Sequence, residues 1–138
     1  MSVGMMIVSH GRIGPAHIDA AEFVLGESLS RIAVVSLDQS GEKIPDESDL
    51  AGVLNQLNQG EGVLILTDIQ GATPANMITA VARRLNSSPD ILPEAKCAIV
   101  SGLNLAMLIR VWNYRERPLQ ELKDFAIKGG QRGIGELL

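Results

Sequence analysis

The stretch "GVLILT" at residues 62–67 constrains the fold more than any other part of the chain. Its apolar residues follow one another almost without alternation, which indicates a strand that is buried on both faces. Such a strand is typical of a parallel sheet that carries helices on both sides. Three more short apolar runs, at residues 5–9, 32–37 and 97–100, predict the other strands.

Amphipathic segments separate these apolar runs and predict helices. The predicted helices cover residues 15–25, 46–57, 73–85, 103–112 and 119–128, and a polar loop is expected at residues 39–45.

Proline, threonine and glycine residues mark the expected ends of these helices. Pro15 suits the first helical position of the first helix, and Gly26 suits its end. Thr73 suits the N-cap of the third helix. The pair Gly129–Gly130 predicts the end of the last helix.

The alternation of strand and helix predicts an α/β fold. We expect a three-layer α/β/α, doubly wound architecture with a mostly parallel sheet of about four to five strands. The length of 138 residues suits one domain over residues 1–138. Hydrophobic residues make up 46% of the chain and aromatic residues only 3%, so the core is expected to be aliphatic.

Charge and cysteine usage exclude several classes of function. The formal net charge is −4 and no basic stripe is visible, which argues against nucleic acid as a partner. The single cysteine, Cys97, allows no intrachain disulfide and fits a reducing compartment.

No apolar run approaches the roughly 18 residues of a membrane span, and no signal peptide is visible, so a cytoplasmic protein is expected.

Three loops carry polar residues away from the carboxyl ends of predicted strands. They are "SHGRIG" after the first strand, "TDIQGATP" after the third and "SGLN" after the fourth. Sites in doubly wound sheets form at this edge, where the strand order reverses. If the first and third strands are neighbours, His10 and Asp68 face one crevice.

His10 and Asp68 together have the chemistry of an oriented nucleophile. A neutral imidazole can attack through one ring nitrogen while a carboxylate on the other nitrogen fixes its tautomer. Gly11 allows close approach by a partner, and the turn at residues 71–73 leads into a helix N-terminus that favours an anion. This combination predicts a phosphohistidine site.

Each of these residues also has a purely structural interpretation. A single histidine at a strand end is more often a hydrogen-bonded structural residue than a nucleophile, and an aspartate in a loop often bonds local N–H groups. Arg12 is either a solvated charge or a phosphate contact. His17 is expected to be part of the scaffold, and Cys97 is expected in the core.

Three ordered motifs resemble one family over nearly the whole chain. "IVSHGRIGPAHIDAAEFVLG", "GVLILTDIQGATPAN" and "IVSGLNLAMLIRVW" are similar to motifs of the EIIA component of the mannose/sorbose-type, phosphoenolpyruvate-dependent sugar phosphotransferase system (PTS). The resemblance implies a doubly wound parallel fold, usually dimeric, with no metal and no organic cofactor.

The resemblance also implies a reaction. In this family the phosphocarrier protein HPr donates a phosphoryl group to a histidine, which passes it to an EIIB component in sugar uptake or a related regulatory relay. His10 and Asp68 match the family's catalytic pair. Thr73 matches the family's hydroxyl residue near the phosphoryl group. Ser9, Gly11, Arg12 and Gly71 are also expected to contact the phosphoryl group or a partner. The resemblance places such a protein at a membrane only through its transporter complex.

The motifs depart from the family pattern at a few positions outside His10 and Asp68. Ala72 stands where a second glycine is common, and a positive φ there would cost on the order of 1 kcal/mol. Gln70 replaces a large apolar residue, and Ala106 replaces a proline.

Two other functions remain open on the sequence alone. A tetrapyrrole metal chelatase also begins with a strand running into His-Gly, but no histidine follows His17 to complete such a site. A regulatory module that binds partners according to the phosphorylation of His10 would have the same site chemistry. A histidine phosphatase is disfavoured because Ser9, not arginine, precedes His10.

Overall fold

The computed structural model describes residues 2–37 and 45–138. The polar loop predicted at residues 39–45 therefore lies outside the described residues except for Pro45. In chain order the elements are β1 Gly4–His10, α1 Ile13–Leu25, β2 Ile32–Leu37, α2 Glu47–Leu57, β3 Val63–Thr67, α3 Thr73–Asn86, a short 3₁₀ turn Pro93–Ala95, β4 Cys97–Val100, α4 Leu105–Asn113 and α5 Leu119–Arg132.

The described strands form one sheet in the order β2-β1-β3-β4. All pairs are parallel, with Met6 opposite both Ala33 on β2 and Ile65 on β3. The strand order reverses between β1 and β3, which are hydrogen-bonded neighbours. The predicted α/β fold with a parallel sheet is confirmed, and the loops after β1 and β3 begin side by side.

Helices cover both faces of the sheet and divide the core into two clusters. Met5 and Ile7 belong to the cluster that α1, α4 and α5 complete, whereas Met6 and Val8 belong to the cluster of α2 and α3. This alternation follows from the period of two in a strand. It places Ser9 on the α1 face and His10 on the α2–α3 face.

The starts of α1 and α3 differ from the sequence prediction. Helix α1 begins at Ile13, so Pro15 is its third residue and not its first. The earlier start has a local cause: the buried Ser9 hydroxyl accepts a hydrogen bond from the Gly14 N–H at 2.9 Å and holds the first turn. In α3 the N-cap is Ala72, so the assignment of Thr73 as the cap was wrong.

Helix α5 continues through the glycine pair that was expected to end it, and reaches Arg132. These glycines are needed for close packing against α4. A Cβ atom at Gly129 would lie 2.7 Å from Cβ of Arg110, and one at Gly130 would lie 2.8 Å from Cε of Met107.

The side chain of Asn86, at the end of α3, covers part of the outer edge of β4. Its Nδ2 donates to the Cys97 carbonyl at 3.0 Å, and its Oδ1 accepts from the Cys97 N–H at 2.8 Å. The adjacent Lys96 carbonyl faces β3, where it accepts from Val63. Asn86 therefore satisfies the first pair of backbone groups that points away from the sheet.

Within residues 2–37 and 45–138, no helix combines the length and the apolar character needed to cross a bilayer.

We expect Gly14→Ala to destabilise the protein. A Cβ atom at Gly14 would lie 2.9 Å from Ser9 Oγ and 2.9 Å from Val34 Cγ1. Overpacking of this kind typically costs about 1–3 kcal/mol. Urea unfolding would measure the loss in the free energy of unfolding.

Gly52→Ala is the matched control, because Gly52 lies within α2 and a Cβ atom there meets nothing within 4 Å. It should stabilise the protein by about 0.5–1 kcal/mol. Equal effects of the two substitutions would show that the contact of Gly14 with the sheet is unimportant.

Candidate active site

His10 and Asp68 meet at the carboxyl edge of the sheet although they are 58 residues apart in the sequence. Each stands at or just after the end of one of the two central strands, His10 on β1 and Asp68 after β3. The Asp68 Oδ2 atom accepts from the His10 backbone N–H at 2.9 Å and lies 2.7 Å from His10 Nδ1. One carboxylate oxygen thus fixes both the end of the strand and the ring that it carries.

The carboxylate determines which ring nitrogen holds the proton. An ionised carboxylate can only accept, so Nδ1 carries the hydrogen that lies between His10 and Asp68. In the neutral ring, Nε2 then keeps its lone pair. The His10 side chain is 37% exposed whereas that of Asp68 is 8% exposed, so the imidazole is the accessible member of the pair.

The surroundings of Asp68 favour its ionised form. Burial opposes ionisation, but hydrogen bonds from the His10 backbone, the His10 ring and the Ile69 N–H outweigh it and lower the pKa of Asp68 below its ordinary value of 3.8. The Ile69 N–H donates to the second oxygen, Oδ1, at 2.8 Å. Asp68 therefore remains a hydrogen-bond acceptor at neutral pH.

Ser9 and Gly11 shape the backbone on either side of the histidine. Ser9 is fully buried and its hydroxyl is engaged by Gly14, so it lies beneath the site and does not face solvent. Gly11 has a φ of 42°, a left-handed conformation that a side chain would strain, and no atom lies within 4 Å of the position of a Cβ there.

Gly71 and Thr73 lie in the turn that leads from β3 into α3. Gly71 has a φ of 82°, whereas Ala72 is extended with a φ of −91°, so the alanine that departs from the family pattern is not strained. Thr73 is exposed at the first position of α3. Within the described residues, no side chain caps the N-terminus of helix α3. The helix contacts β1, so the N–H groups of its first turn lie on the face of the sheet that carries His10.

The sequence reasoning missed two exposed apolar side chains beside the site. Ile13, just after the β1 loop, is 40% exposed, and Ile69, next to Asp68, is 58% exposed. Arg12 between His10 and Ile13 is exposed as well, and no carboxylate of the described residues lies within ion-pair distance of it. The sequence could have indicated this apolar surface, because the polar segments after β1 and β3 each contain one isoleucine.

The structure does not place His17 or the polar loop after β4 in the cluster formed by His10 and Asp68. His17 lies within α1, where its Nδ1 donates to the Ile13 carbonyl at 2.8 Å, in agreement with a scaffold role. Asn104 of the third loop caps α4 by accepting from Met107 N–H at 2.8 Å. The loop still supports the site, since Leu103 N–H donates to the Thr67 carbonyl at 2.9 Å, one residue before Asp68.

Among residues 2–37 and 45–138, no three histidine, cysteine, aspartate or glutamate side chains are grouped so that they could hold a metal ion.

Several solved structures of similar fold come from phosphotransferase systems. The mannose/sorbose-specific IIA subunit from Enterococcus faecalis is 25% identical, with a TM-score of 0.71 and coverage of 100% of this chain and 96% of that one. The phosphotransferase system component EIIA from Streptococcus agalactiae is 21% identical, with a TM-score of 0.74 and coverage of 97% and 96%. A PTS IIA protein associated with the fucose utilization operon of Streptococcus pneumoniae is 24% identical, with a TM-score of 0.73 and coverage of 99% and 96%.

The amino-acid sequence of this chain also matches that of a known protein family. The EIIA-man family, described as the PTS system fructose IIA component, matches residues 4–126. These similarities give no support to the chelatase function or to a regulatory module without transport. The match covers most of the chain and includes both His10 and Asp68, and the chain therefore belongs to the EIIA-man family, as a phosphocarrier component of a sugar phosphotransferase system.

Proposed function

We propose that His10 accepts a phosphoryl group from phospho-HPr through its Nε2 atom and passes it to an EIIB component. The observation that carries this proposal is the 2.7 Å contact between His10 Nδ1 and Asp68 Oδ2 on an imidazole that is 37% exposed. The contact occupies Nδ1 and leaves Nε2, the nucleophilic nitrogen, outside the hydrogen bond with Asp68. Asp68 orients that ring and does not itself carry the phosphoryl group.

The transfer step exchanges one bond to phosphorus for another. A bond forms between Nε2 and the phosphorus atom while the bond from phosphorus to the donor atom breaks, and its electron pair leaves with the donor. The His10 ring then holds a hydrogen on Nδ1 and phosphorus on Nε2, so it bears positive charge. The ionised Asp68 stabilises this charge through the hydrogen bond already present.

The phosphoryl oxygens need donors on the same side of the sheet. The N–H groups in the first turn of α3, which no side chain of the described residues caps, and the exposed hydroxyl of Thr73 are suited to this role. The positive φ of Gly71 sets the path of the turn. Arg12 is exposed beside His10 and suited to the same charge. Ser9 acts through the backbone, because its hydroxyl is held by Gly14.

The rim of the site is suited to protein partners. Ile13 and Ile69 expose apolar surface in the two loops that carry His10 and Asp68, and the exposed Arg12 precedes Ile13 in the chain. Apolar side chains with a neighbouring arginine are typical of the centre of a protein interface. HPr and an EIIB component would take turns on this surface, since both must reach the same ring nitrogen.

We also propose that the protein is a homodimer. The C-terminal tail after α5 carries three exposed apolar residues, Ile134, Leu137 and Leu138. Exposed apolar residues concentrated in a short segment are typical of a surface that a partner covers.

Phosphorylation of His10 can be read from the intact mass. Incubation with phosphoenolpyruvate, enzyme I and HPr should add one phosphate-sized increment to the wild-type protein and to His17→Ala, and none to His10→Ala. An increment that persists in His10→Ala, or that is absent from the wild type, would contradict the assignment.

Asp68→Asn should slow phosphoryl transfer while the domain stays folded. The asparagine keeps the shape of the carboxylate but loses its charge, and a hydrogen bond to a charged group contributes about 1.5–3 kcal/mol. The rate from phospho-HPr in a rapid-quench experiment should therefore fall roughly 10- to 150-fold. An unchanged rate would remove Asp68 from the mechanism, and circular dichroism would verify the fold of the variant.

Sedimentation equilibrium should give twice the mass of the chain. A variant with Leu137→Ser and Leu138→Ser should shift the mass toward the monomer, because it removes apolar area from the tail. Phe23→Ser is the control, since Phe23 is 89% exposed on α1 and lies outside the tail. A monomeric mass for the wild type at every concentration would reject the dimer.

A further inference from the structure

A cavity lies at the amino edge of the sheet, at the opposite end of β1 from His10. Its volume is about 240 Å³. Because β1 has seven residues, the strand separates this cavity from His10 by roughly 20 Å. The residues that line it come from the start of β1, the residue before β2, the end of α2 and the segment after α4.

The charge of this cavity is unusual for a protein with a net charge of −4. Arg31 and Arg115 line it, and no aspartate or glutamate does. Among the residues that the structure describes, neither guanidinium has a carboxylate within 4.0 Å. The two positive charges are therefore not neutralised by an ion pair within the described chain.

Within residues 2–37 and 45–138, each of the two arginines donates one side-chain hydrogen bond. Arg31 Nη2 donates to Ser2 Oγ at 3.0 Å, and Arg115 Nη1 donates to the Trp112 carbonyl at 2.7 Å. The Nε atom of Arg115 is buried and has no hydrogen-bond partner within residues 2–37 and 45–138. A buried donor without a partner loses its hydration and gains no hydrogen bond in return, which is unfavourable.

The end of helix α4 explains the position of one group of Arg115, but it does not explain the position of Arg31. The last turn of α4 directs its carbonyl groups toward this edge, and the bond from Arg115 to Trp112 satisfies one of them. That bond uses Nη1 and leaves Nε unpaired. Arg31 precedes β2 and caps no helix.

We propose that this cavity binds a small ligand with at least two anionic oxygens, of the phosphate-ester or polycarboxylate class, between Arg31 and Arg115. Guanidinium groups are suited to such oxygens because their N–H donors match the spacing of two acceptors. Ser2, Gln56 and Gln59 add uncharged hydrogen-bonding groups to the wall. The site is separate from the phosphoryl-transfer site and does not depend on His10.

The chain contains its own reporter of binding. Trp112 is the only tryptophan, and Cζ of Arg115 lies 4.2 Å from the centre of its ring. An anion that engages Arg115 should change the fluorescence of Trp112. Titration with pyrophosphate and with citrate, each at constant ionic strength set by chloride, would distinguish the two ligand sources.

Saturable changes in Trp112 fluorescence and in the amide NMR signals of residues 2–5 are expected with at least one of these anions. Arg31→Gln and Arg115→Gln should each weaken the affinity about 10-fold or more, since a charge-assisted hydrogen bond is removed. Arg132→Gln, which alters an exposed arginine at the end of α5, should bind as the wild type does. His10→Ala should also bind normally, which separates this proposal from the phosphoryl-transfer site.

Several results would overturn the site. They are the absence of saturation with both anions, equal affinities in all variants, or signal changes confined to the carboxyl edge near His10 and Thr73. A loss of affinity in Arg31→Gln would not be caused by misfolding, because Arg31 is exposed. Arg115→Lys, which keeps the charge but loses the planar group, should bind with intermediate affinity.

Discussion

The hydrogen bonds between Asp68 and His10 are the interaction on which the arrangement of the site depends. One carboxylate oxygen accepts from both the backbone and the ring of His10. This is possible only when β1 and β3 are adjacent and parallel, so that their carboxyl ends meet. The two helical layers hold these strands by burying both faces of β3, whose five residues are all buried. The core thus determines the chemistry by determining which strands are neighbours.

Much of this arrangement could be predicted from the sequence because it depends on local patterns. The uninterrupted apolar run of β3 indicated a parallel sheet, and the polar loops after β1 and β3 indicated the reactive edge. The pairing of His10 with Asp68 followed once those two strands were taken as neighbours. The predicted roles of Arg12 and Thr73 at a phosphoryl group stay predictions, since they concern a group that arrives with a partner.

The features that could not be predicted depend on particular atomic contacts, which the pattern of apolar and polar residues does not show. Pro15 is the third residue of α1 and not the first because Ser9 holds Gly14 from across the loop. Gly129 and Gly130 lie inside α5 because α4 packs too close for a side chain. The basic cavity joins residues from four separate parts of the chain, and Arg31 and Arg115 show no pattern that relates them in the sequence.

The bonds from Asn86 to Cys97 have a consequence for the behaviour of the protein at high concentration. An open sheet exposes backbone groups along its outermost strand, and these groups can recruit a strand from any other chain. β4 has only four residues, and an amide side chain already takes up both outward groups of its first residue. A foreign strand can therefore pair with only the carboxyl half of β4, which makes uncontrolled growth of the sheet into aggregates less favourable. The side chain that ends α3 thus also acts as a barrier to aggregation.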